Sequence, residues 1–173
     1  MQLKKASITD IIALKKTCID AYSLNFHNHW NDDGLEWYLN KEFSTKRLTL
    51  DLADKNTEYF FIEHNLKAVG FIKIKNYSIT SLPFANSAEV EKIYVLPDFK
   101  GMGIGKLALN EIIKSTIARG YKNLFLCVID SNENAIAFYK KLGFQLYDTT
   151  SLDIPFFKEA LKGMFRMVKE LKS

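Results

Sequence analysis

AEVEKIYVLPDFKGMGIGK, residues Ala88 to Lys106, passes from a strand pattern through a loop carrying Gly101, Gly103 and Gly105 into a helix pattern that opens on the last of those glycines. Such a junction suits an anion. Glycines let the main chain turn tightly and approach a ligand closely, and the unpaired N–H groups and positive dipole of a helix N-terminus face a phosphate. A phosphorylated cofactor is the expected ligand, with an ordinary glycine-rich turn as the alternative. The loop is not a Walker loop, which needs four residues between its first glycine and Gly-Lys-Ser/Thr; no hydroxyl follows Lys106 to hold magnesium. Nor is it a dinucleotide fingerprint, because its glycines alternate and lie past mid-chain.

Working outward, a length of 173 residues fits one domain over 1–173 with a core of its own. The apolar runs are broken by charge well short of a membrane span, and Met1 to Lys16 lacks a long apolar stretch, so a cytoplasmic protein with no membrane partner is expected. Cys18 and Cys127 stand apart with no cysteine or histidine at ligand spacing and are taken for buried small hydrophobes. His27, His29 and His64 also lack metal spacing, so neither metal nor disulfide is expected. The formal charge of +4 comes with lysines scattered along the whole chain instead of forming a block or stripe, so nucleic acid is not the expected partner.

Ser7 and Asp10 form a capping pair ahead of IIALKKTCIDAY, whose Ile11, Leu14, Cys18 and Tyr22 fall at helical spacing. Short helical patterns follow at Leu35 to Phe43 and Thr45 to Asp54, after an aromatic and acidic segment, FHNHWNDDG, that is either a lid or a plain loop. Glu58 to Glu63 and Lys67 to Lys75 read as strands of a hairpin turning at His64-Asn65. Glu89 to Val95 is the next strand, Ile104 to Ile117 a helix ended by Gly120, Asn123 to Ile129 a buried strand, and Glu133 to Leu142 a helix stopped by Gly143. Phe144 to Tyr147 and Met164 to Glu170 close the sheet. The expected class is α/β (α+β): a mixed, mostly antiparallel central sheet with helices on both faces.

VEKIYVLPDFKGMGIG taken with SNENAIAFYKKLGF resembles the GNAT superfamily of acyl-CoA-dependent N-acetyltransferases. Lys100, Gly103 and Gly105 are similar to that family's Arg/Gln-x-x-Gly-x-Gly/Ala motif, and Asn132, Ala135, Tyr139, Gly143 and Phe144 to its second segment. Lys100 departs from the usual arginine or glutamine, keeping a cation but losing a planar fork of donors. The WYLNKEF stretch, the Tyr59-Phe60-Phe61 strand and EVEKIYV resemble the PaiA-type bacterial spermidine/spermine acetyltransferases. The resemblance implies acetyl-CoA as cosubstrate and a small-molecule amine as acceptor; a monomer or homodimer is expected. It further implies that main-chain groups of Ile93, Tyr94 and Val95 pair with pantetheine, and that amides of Gly101, Met102, Gly103, Gly105 and Lys106 hold the pyrophosphate.

An alkyl ammonium, with a pKa near about 10, must lose a proton before attacking a thioester. Glu89 matches the position of the base in histone-type members. Strict alternation places Glu89 and Glu91 together on one face, with Ile93 and Val95 and away from Val90 and Tyr94. The two glutamates are catalytic, or solvated at a strand edge while water relays the proton. Tyr139 fits the acid that reprotonates the departing thiolate, or stacks in the core, although Ala135, Phe138 and Leu142 form the better core stripe. Asn132 is an N-cap, and by resemblance also a cofactor contact. Substrate choice falls to Phe26 to Tyr38 and Asp148 to Lys158, where Asp32, Asp33, Glu36 and Asp153 face a polycation or merely solvent, and Trp30 and Trp37 pack an alkyl stem or anchor the loop. The competing functions are acetylation of a protein N-terminus, peptide or other small amine, and a CoA-binding module without turnover.

Overall fold

Ile62, Ile72 and Val90 point to one side of a sheet while Tyr59, Phe61 and Phe71 point to the other, and both sides are buried. Two covering layers follow from that double apolar pattern. The computed structural model describes residues 1–76 and 86–172. The chain runs β1 (Gln2–Lys5), α1 (Ile11–Phe26), α2 (Gly34–Phe43), α3 (Thr45–Ala53), β2 (Thr57–His64), β3 (Lys67–Lys75), β4 (Ser87–Val95), α4 (Ile104–Ala118), β5 (Asn123–Ile129), α5 (Glu133–Lys141), β6 (Gln145–Ser151) and β7 (Gly163–Glu170). Among the described residues seven strands form one sheet in the order β1-β2-β3-β4-β5-β7-β6. Among the described residues only β4 and β5 pair in parallel, so the sheet is mixed and mostly antiparallel, as the sequence predicts.

Helix α1 buries Leu14, Cys18, Ala21 and Tyr22, which recur at helical spacing, and packs with α2 and α3 over the Tyr59, Phe61 and Phe71 face. Helix α4 buries Ile104, Ala108, Leu109, Ile112 and Ile113 against Ile62, Ile72 and Val90. Ser7 and Asp10 do bond to each other, Ser7 N to Asp10 Oδ2 at 3.0 Å, and close a 3-10 turn over Ile8–Asp10 that leads into α1. The β2–β3 turn lies one residue later than expected. His64 pairs with Lys67, and Asn65 and Leu66 make the turn at φ 50 and 62. Strand β1, QLKK, has no sequence signal of its own and is formed by pairing with Phe60 to Glu63.

Two irregularities shape the site. Strand β4 pairs with β5 only from Ser87 to Val90; beyond that point β4 continues along β3 and β5 along β7, so the two strands fork. Strand β4 also carries a bulge: Lys73 pairs with Lys92 and Ile74 with Val90, leaving Glu91 as the extra residue.

Candidate active site

The fork opens a cleft of about 490 Å³, walled by α1, α2, β4, β5, α5 and the chain around Leu152 to Phe157. Its strand wall exposes main chain. Leu96 donates to Val69 O at 2.8 Å, on the β3 side. By the alternation of an antiparallel ladder, Tyr94 also turns its N–H and C=O toward β3, whereas Ile93 and Val95 turn theirs toward β5, across the fork. Asn25 of α1 accordingly reaches the outward Val95 carbonyl, Nδ2 to O at 2.9 Å. Of the expected trio Ile93, Tyr94 and Val95, the outward main chain thus belongs to Ile93 and Val95, with the Val95 carbonyl already accepting from Asn25. Tyr94 supplies its ring, set edge-on to Tyr22 and Phe26 at 5.5 and 5.0 Å.

Lys100 lines the same cleft, and the glycine loop continues from it into α4. Gly101 and Gly103 have φ 77 and 75, and a Cβ on either would meet no atom within 4 Å. The left-handed backbone calls for glycine, and the space beyond is open. Gly103 caps α4, whose first turn bond runs from Leu107 N to Gly103 O at 3.0 Å, so the amides of Ile104, Gly105 and Lys106 precede any intrahelical carbonyl. Met102 on this loop and Lys106 in the first turn of α4 are exposed. These features fit an anion held by main-chain amides.

Glu89 lies at the crotch of the fork, paired with Lys75 on one side and Phe125 on the other. Burial, with the neighbouring Glu91 charge adding to it, raises its carboxyl above the ordinary value. Glu91 has the opposite fate. Burial alone would raise it, but Lys92 and Lys73 outweigh burial and bring it to about 2. A chain of alternating charges holds it there: Arg47 to Asp51 (2.8 Å), Asp51 to Lys73 (2.9 Å), Lys73 to Glu91 (2.8 Å), Glu91 to Lys92 (2.7 Å) and Lys92 to Glu42 (3.2 Å). Lys73 is 1% exposed, and Tyr59 Oη adds a bond to Asp51 at 2.8 Å.

The expected face of the glutamates is corrected by the bulge. Val90 shares a cluster with Ile93 and Val95, while Tyr94 belongs to the other cluster. Glu91 bonds to Lys73, which stands over the Tyr59 ring, so the glutamates lie on the Tyr94 side. One extra residue reverses the parity of every side chain after it.

From α5, Asn132 caps the helix by accepting from Ala135 N at 3.1 Å, and Asn132 and Tyr139 both line the cleft. Tyr139 also packs edge-on against Phe138 and Phe144, and burial pushes its phenol up to about 12. Cys18 is buried as expected, but Cys127 is not: it is exposed on β5, on the cleft wall, because the fork leaves that part of β5 without β4 beside it. Both expected substrate segments reach the cleft through apolar and aromatic side chains, Phe26, Tyr38, Leu152, Ile154 and Phe157. The acids do not reach it. Asp32, Asp33, Glu36 and Asp153 are exposed outside the lining, and Trp37 packs on Phe156 under Lys41. Asn25, Glu42 and Lys92, absent from the sequence-based site, line the cleft instead. Among the described residues no cluster of histidine, cysteine and acidic side chains suits a metal ion, and no helix is long and apolar enough to cross a membrane.

The profile of the acetyltransferase (GNAT) family matches residues 21–144, which covers α1, the forked strands, the glycine loop and α5. The chain belongs to the GNAT acetyltransferase family. Within GNAT proteins, it is 37% identical over 121 residues to an uncharacterized N-acetyltransferase of Methanocaldococcus jannaschii, a match covering 69% of this chain and about half, 49%, of that protein. It is 24% identical to the spermidine N(1)-acetyltransferase of Thermoplasma acidophilum, over 88% of this chain and 93% of the relative. Among solved GNAT structures, PaiA N-acetyltransferase of Thermoplasma acidophilum in complex with coenzyme A shares the fold with a TM-score of 0.76 and 21% identity, over 98% of both chains. The ribosomal-protein-S18-alanine N-acetyltransferase of Escherichia coli does so with a TM-score of 0.73 and 20% identity, over 99% of this chain and 94% of that one.

Proposed function

We propose that this protein transfers the acetyl group of acetyl-CoA to a primary aliphatic amine, with a small polyamine such as spermidine or spermine as the first candidate. The observation that carries the reading is the fork: outward main-chain groups of Ile93 and Val95 lie in one cleft with Glu89 and Tyr139, next to an open glycine cradle. When bound, acetyl-CoA supplies an acyl group activated as a thioester. The amides of Gly101, Met102, Gly103, Gly105 and Lys106 hold its pyrophosphate, with Lys100 as a nearby cation and Asn132 as a polar contact from α5. Ile93 and Val95 receive the pantetheine arm as a neighbouring strand would be received.

Glu89 is the base. A carboxyl whose proton affinity is raised is better matched to an ammonium donor than one near 2, so Glu91 contributes a fixed negative charge beside the amine. Tyr139 keeps its proton throughout the neutral range and returns one to the departing thiolate. Acceptor recognition falls to the inner wall, where Tyr22, Phe26 and Tyr38 present ring surface to an alkyl ammonium. The outer acids Asp32, Asp33 and Glu36, with Trp37, are left to meet only the far end of a long polyamine.

The polyamine choice is supported by the similarity to the spermidine acetyltransferase. The test is incubation with acetyl-CoA and a panel of spermidine, spermine, monoamines and peptides while free thiol is followed. Saturable thiol release with polyamines is expected. Release with peptides alone overturns the acceptor, and no release with any amine overturns the enzyme in favour of a CoA-binding module.

A further inference from the structure

Asn25, in the last turn of α1, is the point at which α1 bonds to the open strand. Its Nδ2 donates to Ala21 O at 2.7 Å and to Val95 O at 2.9 Å. Both partners are carbonyl oxygens, so the orientation of the amide is fixed: the NH₂ group faces them and Oδ1 points away. Oδ1 is buried, and no donor among the described residues reaches it. A buried acceptor left without a donor is unfavourable, and the side chain that carries it lines the cleft beside Val95, Tyr22 and Phe26.

We propose that Asn25 is a ligand-binding residue, whose Nδ2 holds the Val95 carbonyl while its Oδ1 accepts a hydrogen bond from an N–H of a ligand lying along β4. Two sources offer that chemistry, the secondary amides of a pantetheine arm and the acceptor amine. Position favours the arm. Val95 ends β4 at the open side of the fork, opposite Gly70, whereas Glu89 sits at the crotch, opposite Lys75, five residues along β3 and about 17 Å away at roughly 3.3 Å per residue. The reacting nitrogen of an amine delivered to Glu89 therefore lies far from Asn25, even where its alkyl tail meets Tyr22 and Phe26, and a cofactor arm running from the glycine cradle into the fork passes Asn25. The inference rests on the acetyl-CoA reading and deepens it by adding a side-chain contact to a grip otherwise made of main chain.

The test is isothermal calorimetry on the wild-type chain and on Asn25→Ala and Asn25→Leu, with CoA and with 3′-phospho-ADP, which keeps the phosphates but lacks the arm. Alanine suits a helix, so at least one variant stays folded. The expected result is a Kd for CoA raised about tenfold in both variants, as for the loss of one buried hydrogen bond, and an unchanged Kd for 3′-phospho-ADP. An equal loss for both ligands reduces Asn25 to a structural residue and overturns the inference, as does unchanged CoA affinity in folded variants. Unchanged CoA affinity with a raised KM for the amine assigns the N–H to the acceptor and overturns the pantetheine contact. Failure of the wild-type chain to bind CoA overturns the acetyl-CoA reading itself, and the inference with it.

Discussion

Two glutamates two positions apart, Glu89 and Glu91, have opposite proton affinities because burial, aided by the Glu91 charge, dominates at Glu89, whereas Lys92 and Lys73 outweigh burial at Glu91. If Glu89 is the base, kcat/KM falls as pH drops through its pKa, so the acid limb of the profile lies above the ordinary glutamate value of about 4.3. Glu89→Gln is expected to lower kcat by about a hundredfold or more, with CoA affinity intact. Glu91→Gln removes the negative neighbour and moves the acid limb to lower pH; an unmoved limb in the steady-state profile rejects the coupling. Tyr139→Phe keeps the ring and loses the proton donor, and kcat should fall by about tenfold to a hundredfold without a change in the calorimetric Kd for CoA. No basic limb below pH 12 is expected from Tyr139 itself, since its phenol stands at about 12.

At the scale of elements, the β2–β3 turn places a leucine, Leu66, at φ 62 with 99% of its surface exposed. Asn-Gly suits such a turn and a leucine does not, so Leu66→Gly should stabilise the fold by about 1 kcal/mol, visible as a higher denaturant midpoint. Gly103→Val at the cap of α4 acts the other way. No atom stands where its Cβ would be, so the strain comes from φ alone, about 1–2 kcal/mol, while phosphate approach and CoA affinity suffer. The glycine loop, α4, α5 and the hairpin were all legible in the sequence, because their periodicity, caps and stop residues are local signals. Strand β1 was not, since its QLKK gains strand character only from β2. The bulge at Glu91 was invisible for a related reason: an extra residue leaves no mark on composition, yet it turned the expected glutamate face over. Asn25, Glu42 and Lys92 come from three elements and meet only after folding, whereas the conspicuous acids Asp32, Asp33 and Glu36 drew the substrate reading to the outside of the molecule.

For the molecule as a whole, the buried charge chain ties α3, β3, β4 and α2 together. Removing one link leaves a buried charge with a missing partner, so Asp51→Ala should cost about 3 kcal/mol in chemical denaturation, and Asp51→Leu with Lys73→Met should recover part of it. Glu58 is a second anchor. Burial would raise its carboxyl, but Lys5, Asn76 and Arg119 together bring it to about 2. With Glu91 also near 2, both groups lie below their unfolded values. Their contribution is therefore fully present above about pH 4.3 and is lost as pH falls through about 2, which denaturation midpoints between pH 6 and 2 would record. The fork carries a different consequence, for how copies of the chain behave toward one another. An unpaired strand edge normally invites another strand and with it aggregation. Here the unpaired stretch of β4 lies inside the sheet, between α1 and α5, where a slender chain-like ligand can enter and a second polypeptide strand, with side chains on both faces, meets walls. The open edge is thereby reached through the cleft and flanked by α1 and α5.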